Sequence, residues 1–370
     1  MTKVKEHTSS ITYFKGIDVL RFICAAGVIF HHTTSILNDK GIKTHAEFFN
    51  RYSGAFFLDV FFVISGFLIS LILMKEYQQG TFSIKNFYLR RIIRIWPLYF
   101  LVVLVKAFII PMIQHYPMEF IVKDLMYACS FSVNYQLLIE NVTPAYTILW
   151  SICIEEHIYL LLPLLLFVFK GKFKWIGWFL VISGFISWAY FKGVPSVSGF
   201  NTPYFVSSSY FLFFGIGMLI AWFYSQGTKL TLLFLPPVQT ILLIIMMLFV
   251  FNIIPQPTSG LFKILFMYGI TSGYLVWAAA QPNFVIPAGT KFAKYLGNIS
   301  YSMYITHIMI VTPIVKYFVR SDIKFSELLF GWGIPCITTL LTIAVATLLY
   351  YSFERPILKL KKRFTTVASK

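Results

Sequence analysis

Residues 17–36 read IDVLRFICAAGVIFHHTTSI. At about 1.5 Å of rise per residue such a run is roughly 30 Å long, the thickness of a bilayer's hydrocarbon core. It carries Arg21 and two histidines and lacks a small-residue cleavage site, so it reads as a retained first span rather than a cleavable signal. Comparable apolar runs follow at about 55–73, 95–114, 148–169, 175–191, 209–224, 232–251, 260–279, 298–318 and 328–352. The expected fold is therefore an all-α polytopic membrane protein with about ten transmembrane helices. Bulk composition agrees. The 370 residues are 58% hydrophobic and only 12% charged, with mean hydropathy +0.75, which leaves too little polar surface for a soluble protein.

The formal charge of +17 does not imply nucleic acid, because the basic residues sit between apolar runs rather than on one soluble face. Most of the 31 basic residues, from Lys3 and Lys15 through Lys75, Lys170 and Lys294 to Arg355, fall on one set of flanks. The positive-inside rule makes that side cytoplasmic, both termini included, which requires an even number of spans. Segment 115–147 contains FIVKDLMYACSFSVNYQLLI, but Lys123 and Asp124 interrupt it. It reads as an interfacial or cavity-lining helix rather than an eleventh span. With no Pro/Gly/Ser linker or repeat, the expected organisation is one membrane domain over 1–370 with a basic cytoplasmic tail at 353–370 and no appended soluble domain. Cys24, Cys129, Cys153 and Cys336 are scattered without metal-ligand spacing, so they read as small core residues and no metal is expected.

Ionisable groups inside spans are rare and mark functional candidates. Arg21 and His32 are eleven residues apart, which puts them on one helix face about 16 Å apart along the axis. Asp18 falls near the same stripe and His31 is turned away. Alone, Arg21 also fits a snorkelling anchor. Asp59 lies near the depth of His32, where a carboxylate would orient an imidazole or simply face the interface. Ser65 and Gly66 read as a close-packing pair. In TFSIKNFYLRRIIRIWPLYF, Ser83 is a plausible N-cap, and Arg90, Arg91 and Arg94 crowd one side of a helix. Such a cluster suits an anion, since guanidinium forks match phosphate oxygens, or else a lipid-headgroup anchor. In AYTILWSICIEEHIYLLL, Ser151, Glu155 and Tyr159 share a face beside Glu156 and His157, an arrangement too unfavourable in lipid for helix packing alone. Tyr301, Tyr304 and His307 form a polar ribbon three residues apart, and Glu354 with Arg355 reads as a structural charge pair.

Together, DVLRFICAAGVIFHH, LDVFFVISGFLIS, FYLRRIIRIWPLY, LWSICIEEHIYL, LGNISYSMYITH and FERP resemble, in order and position, the motifs of the acyltransferase-3 family. The resemblance runs across nearly the whole chain and implies about ten spans. It also implies transfer of an acyl group, usually acetyl, from cytoplasmic acyl-CoA to a sugar or lipid. The family's arginine-then-histidine pair matches Arg21 and His32, which selects His32 over His31. Its donor-site arginines match Arg91 and Arg94, with Arg90 adjacent, and its W-S-x-x-x-E glutamate matches Glu155 after Trp150 and Ser151. His157 stands where many relatives have glutamine. Some relatives carry an extracytoplasmic hydrolase-like domain; without one, transfer would finish in the membrane domain or with a partner.

The expected function is O-acylation across the plasma membrane of a bacterium, with acetyl-CoA or another acyl-CoA as donor and a surface or lipid-linked glycan as acceptor. Arg91, Arg94, Arg21 and Arg90 would meet the donor, and His32 would be general base. Glu155 or Asp59 would orient it, and Tyr304 or Ser151 would donate to the oxyanion. Trp150, Ser151 and His307 would face the acceptor. Membrane lipids are the expected surroundings, no nucleic acid is involved, and the sequence leaves the oligomeric state open. The rival class is a transporter or flippase of a lipid-linked sugar or small metabolite that uses buried Glu, His and Arg. Against it stands the lack of paired broken helices in matching halves.

Overall fold

The computed structural model describes residues 13–42, 47–113, 117–140, 146–197, 201–228, 231–250, 253–254, 260, 263–320 and 329–364. All regular structure among them is helical. The principal helices are α1 (Lys15–Asp39), α2 (Glu47–Gln78), α3 (Ile84–Ile113), α4 (Met118–Cys129), α5 (Val133–Ile139) and α6 (Trp150–Val168). They continue with α7 (Phe173–Phe191), α8 (Phe211–Ser225), α9 (Pro236–Val250), α10 (Thr271–Ala279), α11 (Thr290–Arg320) and α12 (Ile334–Leu349).

Among the described residues, seven segments are long and apolar enough to cross a membrane: Lys15–Asp39, Gly54–Gln78, Ile84–Ile109, Thr147–Val168, Ser207–Ser225, Thr290–Val319 and Gly331–Lys361. The other three apolar runs of the sequence are helical too where described, as α7, as α9, and as a π-helical turn at Lys263–Ile270 that leads into α10. The described part of segment 115–147 holds two short helices, α4 and α5, each too short to span. Lys123 pairs with Glu140 at 2.9 Å on the surface, while Asp124 turns inward and accepts from Gln136 at 2.6 Å. Neither helix lines a cavity described below.

Helices α1 and α2 are the centre of the bundle. α1 packs on α11 and α12, and α2 packs on α8, which packs in turn on α7. The α2–α8 contact depends on two glycines: a Cβ on Gly66 would overlap the Phe214 carbonyl, and one on Gly217 would overlap the Val63 carbonyl. Below it the chain turns at Gly80 (φ +66°) into α3, whose first turn Ser83 caps by accepting from the Asn86 N–H at 3.3 Å. Arg90 reaches back to Glu76 at 2.8 Å, both groups being buried, and also donates to the Phe364 carbonyl at 2.9 Å. That second bond folds the tail Lys359–Phe364 against α3.

Two packing expectations change. Cys24 and Cys153 are core residues, whereas Cys129 and Cys336 are exposed on the outward faces of α4 and α12, where a small apolar side chain suits lipid equally well. Glu354 does not pair with Arg355: it accepts from the buried Ser302 hydroxyl, and Arg355 lies over the Tyr351 ring at 5.4 Å. Consecutive helical residues point about 100° apart, so one side chain turns in as its neighbour turns out.

Gly66→Leu should destabilise the purified protein by about 1–3 kcal/mol, since the obstructing atoms are backbone and cannot rotate away. A thermal melt in detergent reads this; an unchanged melting temperature would mean that α2 and α8 do not interlock there.

Candidate active site

Helices α1, α2, α3, α6 and α11 and the tail surround a cavity of about 260 Å³. Its lining runs along α2 from Leu58 to Ile72, which is about 21 Å of helix. Four cations face it: Arg21 from α1, Arg91 and Arg94 from α3, and Lys361 from the tail. The Arg91 guanidinium is buried over the Tyr159 ring, 5.6 Å from its centroid, and its Nε has no hydrogen-bond partner among the described residues. Arg21 lies 3.6 Å from Asp18. The lining carboxylate is Glu155, whose Oε1 accepts from Ser65 Oγ at 2.5 Å and from the Tyr159 hydroxyl one helical turn away.

About 12 Å up α6 from Tyr159, Ser151 contributes a hydroxyl to the same cavity. It lies 2.5 Å from the Tyr304 hydroxyl of α11, another lining group. The cavity thus joins a cation-rich end to a hydroxyl pair. Such an enclosure attracts an anion at one end and presents hydrogen-bond donors at the other.

The histidines sit next to that hydroxyl end. His307, one turn beyond Tyr304, is fully buried, and its Nδ1 donates to the Tyr304 carbonyl at 2.5 Å. In the neutral ring Nε2 is then the basic nitrogen, and it has no partner among the described residues. The His307 ring lies 5.8 Å from Tyr304 and 5.2 Å from His32, which in turn lies 5.2 Å from His31. Tyr304, His307 and His32 thus form a row of touching rings that begins at the cavity lining.

Other groups singled out in the sequence take different places. No carboxylate hydrogen-bonds His32 among the described residues, because both bonds of Glu155 go to Ser65 and Tyr159. Arg90 is held by Glu76 and Phe364 and does not line the cavity. Glu156, one step round from Glu155, accepts from Trp96 at 3.3 Å. His157 meets Ser207 at 2.7 Å. Trp150 packs among Tyr204, Phe205 and Tyr210, with ring centroids 5.0, 4.9 and 5.8 Å away. Asp59 lines a second cavity, together with Tyr204 and Tyr210. Burial, and next the Asp59 carboxylate, push the Tyr204 hydroxyl well above its ordinary pKa, so it remains a protonated donor.

Ser65, Ser300 and Lys361 are polar lining groups that the sequence did not single out as site residues. Ser65 was indistinguishable from a packing residue until α6 was placed opposite. Lys361 belongs to a basic tail that the charge rule already accounts for, and its one distinguishing signal is its position seven residues beyond buried Glu354.

The constellation of Arg21, Arg91, Arg94, Ser151 and Glu155 around one cavity falls inside the region matched by the acyltransferase-3 model, described as an acyltransferase domain, which covers residues 14–351. The chain belongs to the acyltransferase-3 family. A provisionally named O-acetyltransferase of Staphylococcus aureus (strain COL) is 24% identical over 383 residues, covering 97% of this chain and 60% of the relative. O-acetyltransferase OatA of Staphylococcus aureus (strain NCTC 8325 / PS 47) is 26% identical, over 96% of this chain and 58% of its own length. An uncharacterized Haemophilus influenzae protein is 32% identical over 197 residues, 47% of this chain and 78% of that protein. The chain thus spans about 60% of the length of these staphylococcal acyltransferase-3 relatives. No solved structure shows a significant match.

Tyr159→Phe removes one of the two hydroxyls that solvate Glu155. The expected loss is about 1–3 kcal/mol of stability, read as a lower melting temperature in detergent. No change would mean that Glu155 is not held by Tyr159.

Proposed function

We propose that this protein is an O-acyltransferase that moves an acyl group, acetyl in the simplest case, from acyl-CoA to a hydroxyl of a surface or lipid-linked glycan. The single observation that supports the reading best is one cavity that joins four cations to the Ser151–Tyr304 hydroxyl pair. Its cations suit the phosphates of the donor, and its apolar middle, lined by Phe61, Ile64 and Leu68, suits the pantetheine arm. The family, and the names of the staphylococcal relatives, favour acetyl transfer over other chemistry.

In this reading Arg91, Arg94, Arg21 and Lys361 bind the donor phosphates, and Glu155 keeps the arginines oriented. The thioester carbonyl lies at the Ser151–Tyr304 end. His32 takes the proton of the acceptor hydroxyl, and the oxygen attacks the carbonyl carbon. Ser151 or Tyr304, already bonded to each other, donates to the resulting oxyanion. The C–S bond then breaks and the CoA thiolate leaves with the proton held by the base. The finer topology belongs to the same proposal: about ten spans in one domain of a bacterial plasma membrane, both termini cytoplasmic, the cation end facing the donor and the histidines toward the outer leaflet.

His32→Ala should abolish acyl transfer in protein that inserts and melts normally. Retained activity would remove His32 from the mechanism, and retention paired with loss in His307→Ala would move the base to His307. Arg91→Ala and Lys361→Ala should each weaken acetyl-CoA binding by about 10- to 100-fold, the value of a charge-assisted hydrogen bond. Calorimetric titration of the purified protein measures this, and unchanged affinity in both variants would contradict the donor site.

A further inference from the structure

The second cavity, also about 260 Å³, lies beside the first. Helix α2 forms the shared wall: Leu58 and Phe62 line the first cavity, Ala55 and Asp59 the second. Phe62 stacks against Tyr210 of the second cavity with ring centroids 4.5 Å apart. Trp150 packs on Tyr204 and Tyr210 and immediately precedes Ser151 of the first cavity. Three rings, those of Phe62, Trp150 and Tyr210, thus stand between Asp59 and the hydroxyl end of the first cavity.

The two linings differ in chemistry. Among the described residues no lysine or arginine lines the second cavity, which offers phosphate no charge partner there. It has one carboxylate, Asp59, only 2% exposed, with no hydrogen bond or ion pair to any described residue. A buried carboxylate that faces a cavity gains from a ligand that brings hydrogen-bond donors. Around it stand Trp188, Tyr204, Tyr210 and Tyr268, with the Asn201 amide at the exposed rim. Flat aromatic faces with a carboxylate and an amide match a ligand that is apolar on its ring faces and rich in hydroxyls at its edge. The volume is at the small end of ligand pockets, which run about 300–1,000 Å³.

We infer that this cavity is an acceptor subsite for one neutral sugar ring, with Asp59 accepting hydrogen bonds from its hydroxyls and the four aromatic rings flanking it. The assignment rests on the acyl-transfer reading and gives Asp59 a role in binding substrate rather than in orienting His32. The reacting hydroxyl passes the Phe62–Trp150–Tyr210 partition to reach the thioester beside Ser151 and Tyr304, and the bond changes are those given above. An anionic sugar is disfavoured, because Asp59 repels carboxylates and no cation stands among the described lining residues to neutralise them.

The test compares two variants that alter the cavity differently. Asp59→Asn keeps its shape and removes the charge, and Ala55→Phe fills it while keeping the Asp59 carboxylate. Each is expressed in cells that lack the wild-type copy, and ester-linked acetyl on the surface polysaccharide is measured after alkaline release. The same purified full chains, in nanodiscs, are titrated with acetyl-CoA. The expected result is a loss of polysaccharide acetylation of at least about tenfold in both variants, with the Kd for acetyl-CoA within about twofold of wild type. Normal acetylation in either variant overturns the inference. Loss of acetyl-CoA affinity in both also overturns it, because the cavity would then serve the donor or the fold. Failure of the wild-type chain to bind acetyl-CoA would remove the acyl-transfer reading itself, and the inference with it, which sets that outcome apart from the other two.

Discussion

Repulsion among Arg21, Arg91, Arg94 and Lys361, four cations facing one cavity inside an apolar bundle, is the constraint on which the rest of the arrangement depends. Like charges in a medium of low dielectric repel strongly unless counter-charges or an anionic ligand intervene. The protein supplies counter-charge sparingly, with Asp18 beside Arg21 and with Glu155 in the lining. Glu155 is itself tied to Ser65 and Tyr159, so α2 and α6 are fixed relative to the arginines of α3. The buried Glu76–Arg90 pair closes the α2–α3 turn, and the Arg90 bond to Phe364 brings Lys361 to the same cavity. The positive excess that remains is what an anionic donor would neutralise.

The division into two cavities extends that logic. A cationic compartment and an anionic, aromatic one share α2 and are separated by three rings. An anionic donor would be excluded from the Asp59 compartment by charge, and the hydroxyl pair of Ser151 and Tyr304 belongs to the cationic one. A saturated donor site would then leave the acceptor side open, which suits transfer between ligands arriving from different sides of a membrane.

Much of the fold could be read from the chain because hydropathy is a local property. Each of the ten apolar runs coincides with described helix, although three of those helices fall short of the length and hydropathy that would mark a span on their own. Helical periodicity likewise put Ser151, Glu155 and Tyr159 on one face, and all three line the cavity. What periodicity does not carry is the pairing between helices. Asp59 and His32 were matched by depth, yet azimuth turns Asp59 toward α8 and the second cavity. His307 reaches His32 only because α11 packs on α1, a contact no single helix encodes. Lys361 joins the site through the hydrogen bond between Arg90 and the Phe364 carbonyl, nearly three hundred residues away in sequence.

The central claim is that the cavity performs chemistry on its acceptor rather than passing it across the membrane. The most direct measurement uses proteoliposomes containing the purified chain, supplied with acetyl-labelled acetyl-CoA and a lipid-linked glycan, with the glycan recovered and weighed by mass spectrometry. Chemistry in the cavity gives the glycan a labelled acetyl ester and releases free CoA in equal amount. Movement of the glycan across the bilayer with no change in its mass, and acetyl-CoA left intact, would contradict it.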